Sequence, residues 1–155
     1  MPSSLSTTYQ IFEKAERIEQ LCAAGYALLA ERFREDPEAR ALFLQLEEEE
    51  RQHASRVCLL AARYRHDPRL LERVPAQPQE LDLMLADAEG VLRAIQGGEF
   101  ARTVGEARVN LAGLEERFAR AHAELIAAEG HPALREFFEQ LAEQDAGHRR
   151  LLQGG

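Results

Sequence analysis

Two segments of this chain align without a gap, and that repeat constrains the fold more than any other feature. Arg40-Ala-Leu-Phe43-Leu-Gln45-Leu46-Glu-Glu48-Glu-Glu50-Arg-Gln-His53 falls on Arg135-Glu-Phe-Phe138-Glu-Gln140-Leu141-Ala-Glu143-Gln-Asp145-Ala-Gly-His148. Six of the fourteen positions are identical, and Glu50 falls on Asp145. Glu19 lies 31 residues before Glu50, and Glu115 lies 30 residues before Asp145. The chain reads as a duplicated helical hairpin, each copy carrying one Glu and one acid-x-x-His.

The residues between these landmarks agree. Ala, Leu, Glu, Arg and Gln dominate, and all are strong helix formers. Nothing alternates with period two, so the fold class is all-α. Asp36-Pro37 and Asp67-Pro68 each supply an N-cap followed by proline at the first helical position, and Gly97-Gly98 and Gly130 supply stops. These signals predict helices from about Thr8 to Arg34, Pro37 to Arg65, Glu80 to Gln96, Phe100 to Glu129 and Pro132 to Leu152, with a short helix between Asp67 and Pro75. Four are long. The first two and the last two form antiparallel pairs, joined by a long crossover, Asp67 to Glu99, that contains the short helices. The expectation is a four-helix bundle with one crossover.

Size and charge narrow the function. A chain of 155 residues suits one domain, and 45% hydrophobic content is enough for a core. The net charge of −8, from 27 acidic and 19 basic residues, argues against nucleic-acid binding, which needs a basic face. No apolar run approaches the ~20 residues of a membrane helix. No Lys/Arg start followed by an apolar core is seen, so no secretory leader is expected; with only two cysteines a disulfide scaffold is not expected either, and a reducing cytoplasm is the default. Cys22 and Cys58 make no C-x-x-C, which excludes a four-cysteine zinc or iron site within this chain.

Heptad-spaced core stripes are polar at their centres. The first runs Phe12, Ala15, Glu19, Cys22, Tyr26, Leu29, Phe33. The second runs Phe43, Leu46, Glu50, His53, Val57, Leu60. The third runs Val104, Arg108, Leu111, Glu115, Phe118, His122, Leu125, and the fourth Leu134, Phe138, Leu141, Asp145, His148, Leu152. A buried carboxylate costs several kcal/mol unless it is paired or bound to a cation. Four at one depth would repel each other, and two divalent cations would balance them. The i, i+3 spacing places each acid and its histidine on one face, in reach of a dinuclear centre.

With Ile18-Glu19 and Tyr26, Glu50-Arg-Gln-His53, Glu115, and Leu141-Ala-Glu-Gln-Asp145-Ala-Gly-His148, the sequence resembles rubrerythrin-like and bacterioferritin-like members of the ferritin-like superfamily. The resemblance covers the four long helices and implies a single ferritin-like domain over residues 1–155. It implies a di-iron site with Glu19 and Glu115 as terminal ligands, Glu50 and Asp145 as bridges, and His53 and His148 on one metal each. The implied activity is that of a di-iron carboxylate oxidoreductase: Fe(II) oxidation, or reduction of O2 or H2O2 with an electron donor the sequence does not name. Mn or Zn would also suit the ligands. A homodimer is implied as well. The chain departs from the family in having Asp at 145, no rubredoxin-like domain, and no additional glutamate one turn either side of Glu115. A metal-storage subunit without turnover, and a helical interaction module with a vestigial site, stay open as alternatives.

Several residues have two readings. Glu115 has Glu116 beside it, one residue out of register. Tyr26 is a core tyrosine or a hydrogen-bond partner of a ligand carboxylate. His122 is a core histidine bonded across the bundle or a further ligand. Cys22 reads as a buried thiol. Glu47 to Glu49 read as a solvated face, and His66 and His131 as surface residues. Arg108 pairs with a carboxylate or lies at the bundle end. Asp145, one methylene shorter than Glu50, predicts that the metal on His148 is held less tightly than the metal on His53.

Overall fold

The computed structural model of the protein describes residues 4–66, 79–128 and 132–154. These form five helices: α1 (Ser4–Arg32), α2 (Pro37–His66), α3 (Gln79–Gln96), α4 (Val104–Ala128) and α5 (Pro132–Leu152). There is no strand among the described residues. The expected short helix after Pro68 lies outside them, as does His131, and the side chain of His66 is likewise not described.

Local chemistry sets the helix ends. Asp36 Oδ1 accepts the Ala39 amide at 3.0 Å, the expected cap in front of Pro37. Gly98 takes φ 74°, and the Glu99 amide donates to the Ala94 carbonyl at 2.9 Å. That reversal ends α3, and glycine adopts it at little steric cost. Helix α3 begins one residue early, at Gln79, and two starts differ from expectation by four residues. Helix α1 begins at Ser4 rather than Thr8, and α4 begins at Val104 rather than Phe100. The reason for the second is a reciprocal cap: Thr103 Oγ1 accepts the Glu106 amide at 3.1 Å while Glu106 Oε2 accepts the Arg102 amide at 2.8 Å. This Thr-x-x-Glu signal fixes the first turn.

The core consists of two apolar clusters. One joins Ile11 to Leu21 of α1 with Val57 and Ala61 of α2, Leu81, Met84 and Ala88 of α3, Leu114 and Phe118 of α4, and Phe137, Phe138 and Leu141 of α5. The other joins the opposite ends: Tyr26, Leu29 and Ala30, then Ala39, Phe43 and Leu46, then Ile95, Ala107 to Ala112, and Leu152. Helices α1, α3 and α5 therefore run one way, and α2 and α4 the other. Packing is heaviest between α1 and α2 and between α4 and α5, the two antiparallel pairs.

A connection between parallel α2 and α4 must return along the bundle. Helix α3 does this. Its 18 residues span about 27 Å at 1.5 Å per residue. It lies mainly against α1 and more lightly against α4, burying Leu81, Met84, Ala88 and Ile95. Gly25 permits the close approach, since a Cβ there would stand 3.3 Å from Ile95 Cδ1. At the rim Arg117 grips Asp87 with two bonds of 2.7 and 3.1 Å, and Lys14 meets Asp82 at 2.7 Å. The apolar face of the crossover thus covers the bundle.

One stripe position is corrected. The buried residue on α4 is Ala107, and Arg108 is half-buried beside it. Arg108 Nε donates to the Leu152 carbonyl at 2.7 Å, and Nη2 to Leu151 at 3.3 Å. The guanidinium satisfies the terminal carbonyls of α5 at the bundle end and pairs with no carboxylate of the site. No described helix is long and apolar enough to cross a membrane.

Candidate metal centre

Between the two apolar clusters lies a polar layer. Helix α1 brings Glu19 and Tyr26 to it, α2 brings Glu50 and His53, α4 brings Glu115 and His122, and α5 brings Asp145 and His148. All eight are buried. Glu115 is 1% exposed while Glu116 is on the surface, so the stripe register selects Glu115.

The geometry is closest around α2 and α5. His148 Nδ1 stands 2.8 Å from Glu50 Oε1 and 3.5 Å from Glu115 Oε1. His53 Nδ1 stands 3.5 Å from Glu19 Oε2 and 3.8 Å from Glu50 Oε2. The two imidazoles stack with centroids 5.3 Å apart and 15° between planes. Glu50, His53 and His148 each offer a ligand atom within 4.8 Å of the others. That is near the span bridged by a cation with bonds of about 2.0–2.2 Å. Glu19 and Glu115 flank this group, each beside one of its histidines.

Asp145 is placed differently. Its Oδ2 lies 2.6 Å from His122 Nδ1 in a hydrogen bond across the α4–α5 interface. His122, whose ring also lies on Phe138 at 6.1 Å, is therefore the histidine bonded across the bundle. Asp145 shares the buried layer but not the close three-residue group. Tyr26 Oη donates to Glu115 Oε1 at 2.7 Å, so the tyrosine hydroxyl is bonded to a buried carboxylate of the layer.

Two buried atoms in the layer lack any hydrogen-bond partner: Glu115 Oε2 and His148 Nδ1. The 2.8 Å approach of His148 Nδ1 to Glu50 is thus a close contact without hydrogen-bond alignment. Unpartnered buried polar atoms are rare because each costs its desolvation. A nitrogen lone pair and a carboxylate oxygen in one layer fit a cation, and the donor set of oxygens and imidazoles suits Fe, Mn or Zn.

The metal-free layer holds protons instead. Burial raises Glu19 to about 8, helped by the negative charge of Glu50 and a hydrogen bond to it. Burial also pushes Glu50 upward, but its close contacts with Glu19, His148 and His53 outweigh it and hold Glu50 below its ordinary value. Burial alone would lower His53, yet Glu19 and Glu50 lift it to about 9. His148 is lifted to about 11 by Glu115 and Glu50 against the same burial. Burial raises Asp145 well above the usual range, with Glu115 and Glu19 adding to it, and lowers His122 to about 4. At neutral pH Asp145 Oδ2 meets a neutral His122. Burial and the field of Glu50 raise the Cys22 thiol, which stays protonated and inert.

One residue at the site was missed by the stripe analysis. Glu49 is half-exposed and its Oε2 lies 2.9 Å from His148 Nε2, so the Glu47–Glu49 run is not wholly a solvated face. It stands about 100° around the helix from Glu50, off the core stripe. The signal that finds it is the repeat: Glu49 aligns with Gln144, again a long polar residue beside the stripe acid.

Among known proteins, no family model matches the chain, and neither the curated proteins nor the solved structures contain a match.

Proposed function

We propose that the protein is a dinuclear metal protein with a ferritin-like arrangement, acting as a di-iron carboxylate oxidoreductase on O2 or H2O2 or as an oxidant of Fe(II). One observation carries this reading: four buried acids and two acid-x-x-His histidines share one layer in which Glu115 Oε2 and His148 Nδ1 have no hydrogen-bond partner. The parallel course of α2 and α4, with a crossover between them, supports the ferritin-like arrangement. Glu19, Glu50, Glu115, Asp145, His53 and His148 would hold two divalent ions, whose four positive charges match four carboxylates. Two bound Fe ions would supply two electrons to a small oxidant.

The chain's own residues do the rest. Tyr26 fixes the Glu115 carboxylate by its 2.7 Å bond, and His122 holds Asp145. The apolar clusters on either side exclude water from the layer, which strengthens every charge interaction within it. Near neutral pH the Glu19 carboxyl carries a proton that it must give up on metal binding. Association as a homodimer, a cytoplasmic setting and an external electron donor belong to the same proposal and rest on the family resemblance.

Anaerobic titration with Fe(II), followed by O2, tests it. Two Fe per chain and a fast absorbance change on adding O2 are expected; a chain that binds no metal would end the reading. A second reading is favoured by the engagement of Asp145 with His122: one divalent ion held by Glu50, His53 and His148 without turnover. A stoichiometry of one ion, silent to O2, would select it.

A further inference from the structure

His148 has an exit on its far side that the six-ligand site does not use. Its Nε2 lies 2.9 Å from Glu49 Oε2, and Glu49 is itself reached by Gln45 Nε2 at 3.2 Å. The Glu49 side chain is 34% exposed, so it stands at the rim of the α2–α5 seam with its carboxylate turned to the imidazole. The other ring nitrogen, Nδ1, points its contacts to Glu50 and Glu115 and has no hydrogen-bond partner. A neutral imidazole has one N–H, and whichever nitrogen keeps it cannot bind a metal.

We propose that Glu49 is a positioning residue for His148: its carboxylate takes the Nε2–H, fixes the tautomer with Nδ1 bare toward Glu50 and Glu115, and so sets metal affinity in that half of the site. This rests on the metal-binding reading above. A carboxylate behind a metal-bound histidine orients the ring and raises its basicity, and losing such a partner commonly weakens binding about 10- to 100-fold. The internal repeat sharpens the inference. The position equivalent to Glu49 is Gln144, whose Oε1 is buried without a hydrogen-bond partner. The duplicated hairpins thus place a charged acceptor behind one histidine and a neutral amide at the equivalent place in the other half.

The test uses the full chain and Zn(II) alone, a diamagnetic probe that needs no turnover. Zn(II) affinity is measured against a chelating indicator for the wild type, Glu49→Ala and Glu49→Gln. Long-range proton–nitrogen spectra of 15N-histidine protein report which ring nitrogen is protonated. The wild type should load with His148 protonated at Nε2 and metal-bound through Nδ1. Glu49→Ala should weaken one Zn(II) about 10- to 100-fold and leave the His148 Nε2–H in fast exchange with water. Glu49→Gln, which keeps an acceptor oxygen, should recover part of the affinity. The thermal midpoint of the metal-free variants separates this from a structural role, which would lower stability and leave affinity alone. Wild-type affinity in Glu49→Ala, or His148 ligation through Nε2, overturns the positioning role and leaves the metal site standing. A wild type that binds no Zn(II) overturns both.

Discussion

Loading the site with metal should expel protons, and the structure sets how many. At pH 7 three of the groups facing the layer are protonated without metal. These are His148, raised to about 11, His53, raised to about 9, and Glu19, raised to about 8. Glu50, held low, contributes none. Ligation requires bare imidazole nitrogens and ionised carboxylates, so full occupation by two ions should release about three protons per chain. The overall constant for two ions should then rise about three decades per pH unit near neutrality, roughly one and a half decades per ion. Moving from pH 7 to pH 6 should weaken loading accordingly.

Calorimetric titration with Zn(II) in several buffers of different ionisation enthalpy measures this directly. The slope of apparent heat against buffer enthalpy is the proton count. His148→Ala should remove one proton from the count together with one ion. A release of about one proton or fewer in the wild type would refute the reasoning, because the paired imidazolium and carboxyl groups would then not be the groups the metal displaces.

Other expectations follow from the same contacts. The metal-free protein should lose stability from pH 6.5 to pH 9: His53, His148 and Glu19 keep protons in the folded state that the unfolded chain has released, so the folded form is disfavoured as pH rises. Urea unfolding in chelator across that range checks it, and a flat profile contradicts the buried contacts. Tyr26→Phe should cost about 1–3 kcal/mol, the range for leaving a buried acceptor without its donor; an unchanged urea midpoint would show the bond is not made. Asp145→Glu should raise occupancy of the metal on His148, read from anomalous scattering at the metal edge, and equal full occupancy in the wild type would refute the expected asymmetry. Light scattering at high micromolar concentration should give a dimer mass, and a monomer would remove that proposal.

Much of the fold was legible because the helix signals are local. Asp36-Pro37 and Gly97-Gly98 act within one turn of themselves: α2 opens at Pro37 and α3 closes at Gln96 as expected, while α1 ends at Arg32 rather than Arg34. Helix α4 starts late because the Thr103–Glu106 cap outweighs the helix-forming residues before it. The burial of Glu19, Glu50, Glu115 and Asp145 was legible because heptad spacing alone places them on the stripe. What the spacing could not give is which partner each takes. Asp145 sits in register with Glu50, yet its carboxylate bonds His122 at 2.6 Å, because that choice depends on the distance across α4 and α5. Glu49 was hidden for the opposite reason: a residue off the stripe reaches the site only through the rotation of α2 against α5.

The two halves of the repeat have diverged at adjacent positions, and the differences act against each other on the same ion. Asp145 is one methylene shorter than Glu50, about 1.5 Å less in reach, and its hydrogen bond to His122 holds it away from the close group. That weakens the position served by His148. Glu49, where the other half has Gln144, places a carboxylate 2.9 Å from His148 Nε2 and would strengthen the same position. On the two-metal reading, a shortened bridge and a supported histidine on one ion, and a full-length bridge and an unsupported histidine on the other, would make the two metals unlike despite the internal repeat. Unlike metals fit a centre where one ion exchanges more readily than its neighbour. The double variant Asp145→Glu with Glu49→Gln restores the sequence equivalence of the two halves at both positions. If sequence divergence is the source of the asymmetry, its two Zn(II) affinities should lie closer together than those of the wild type or either single variant.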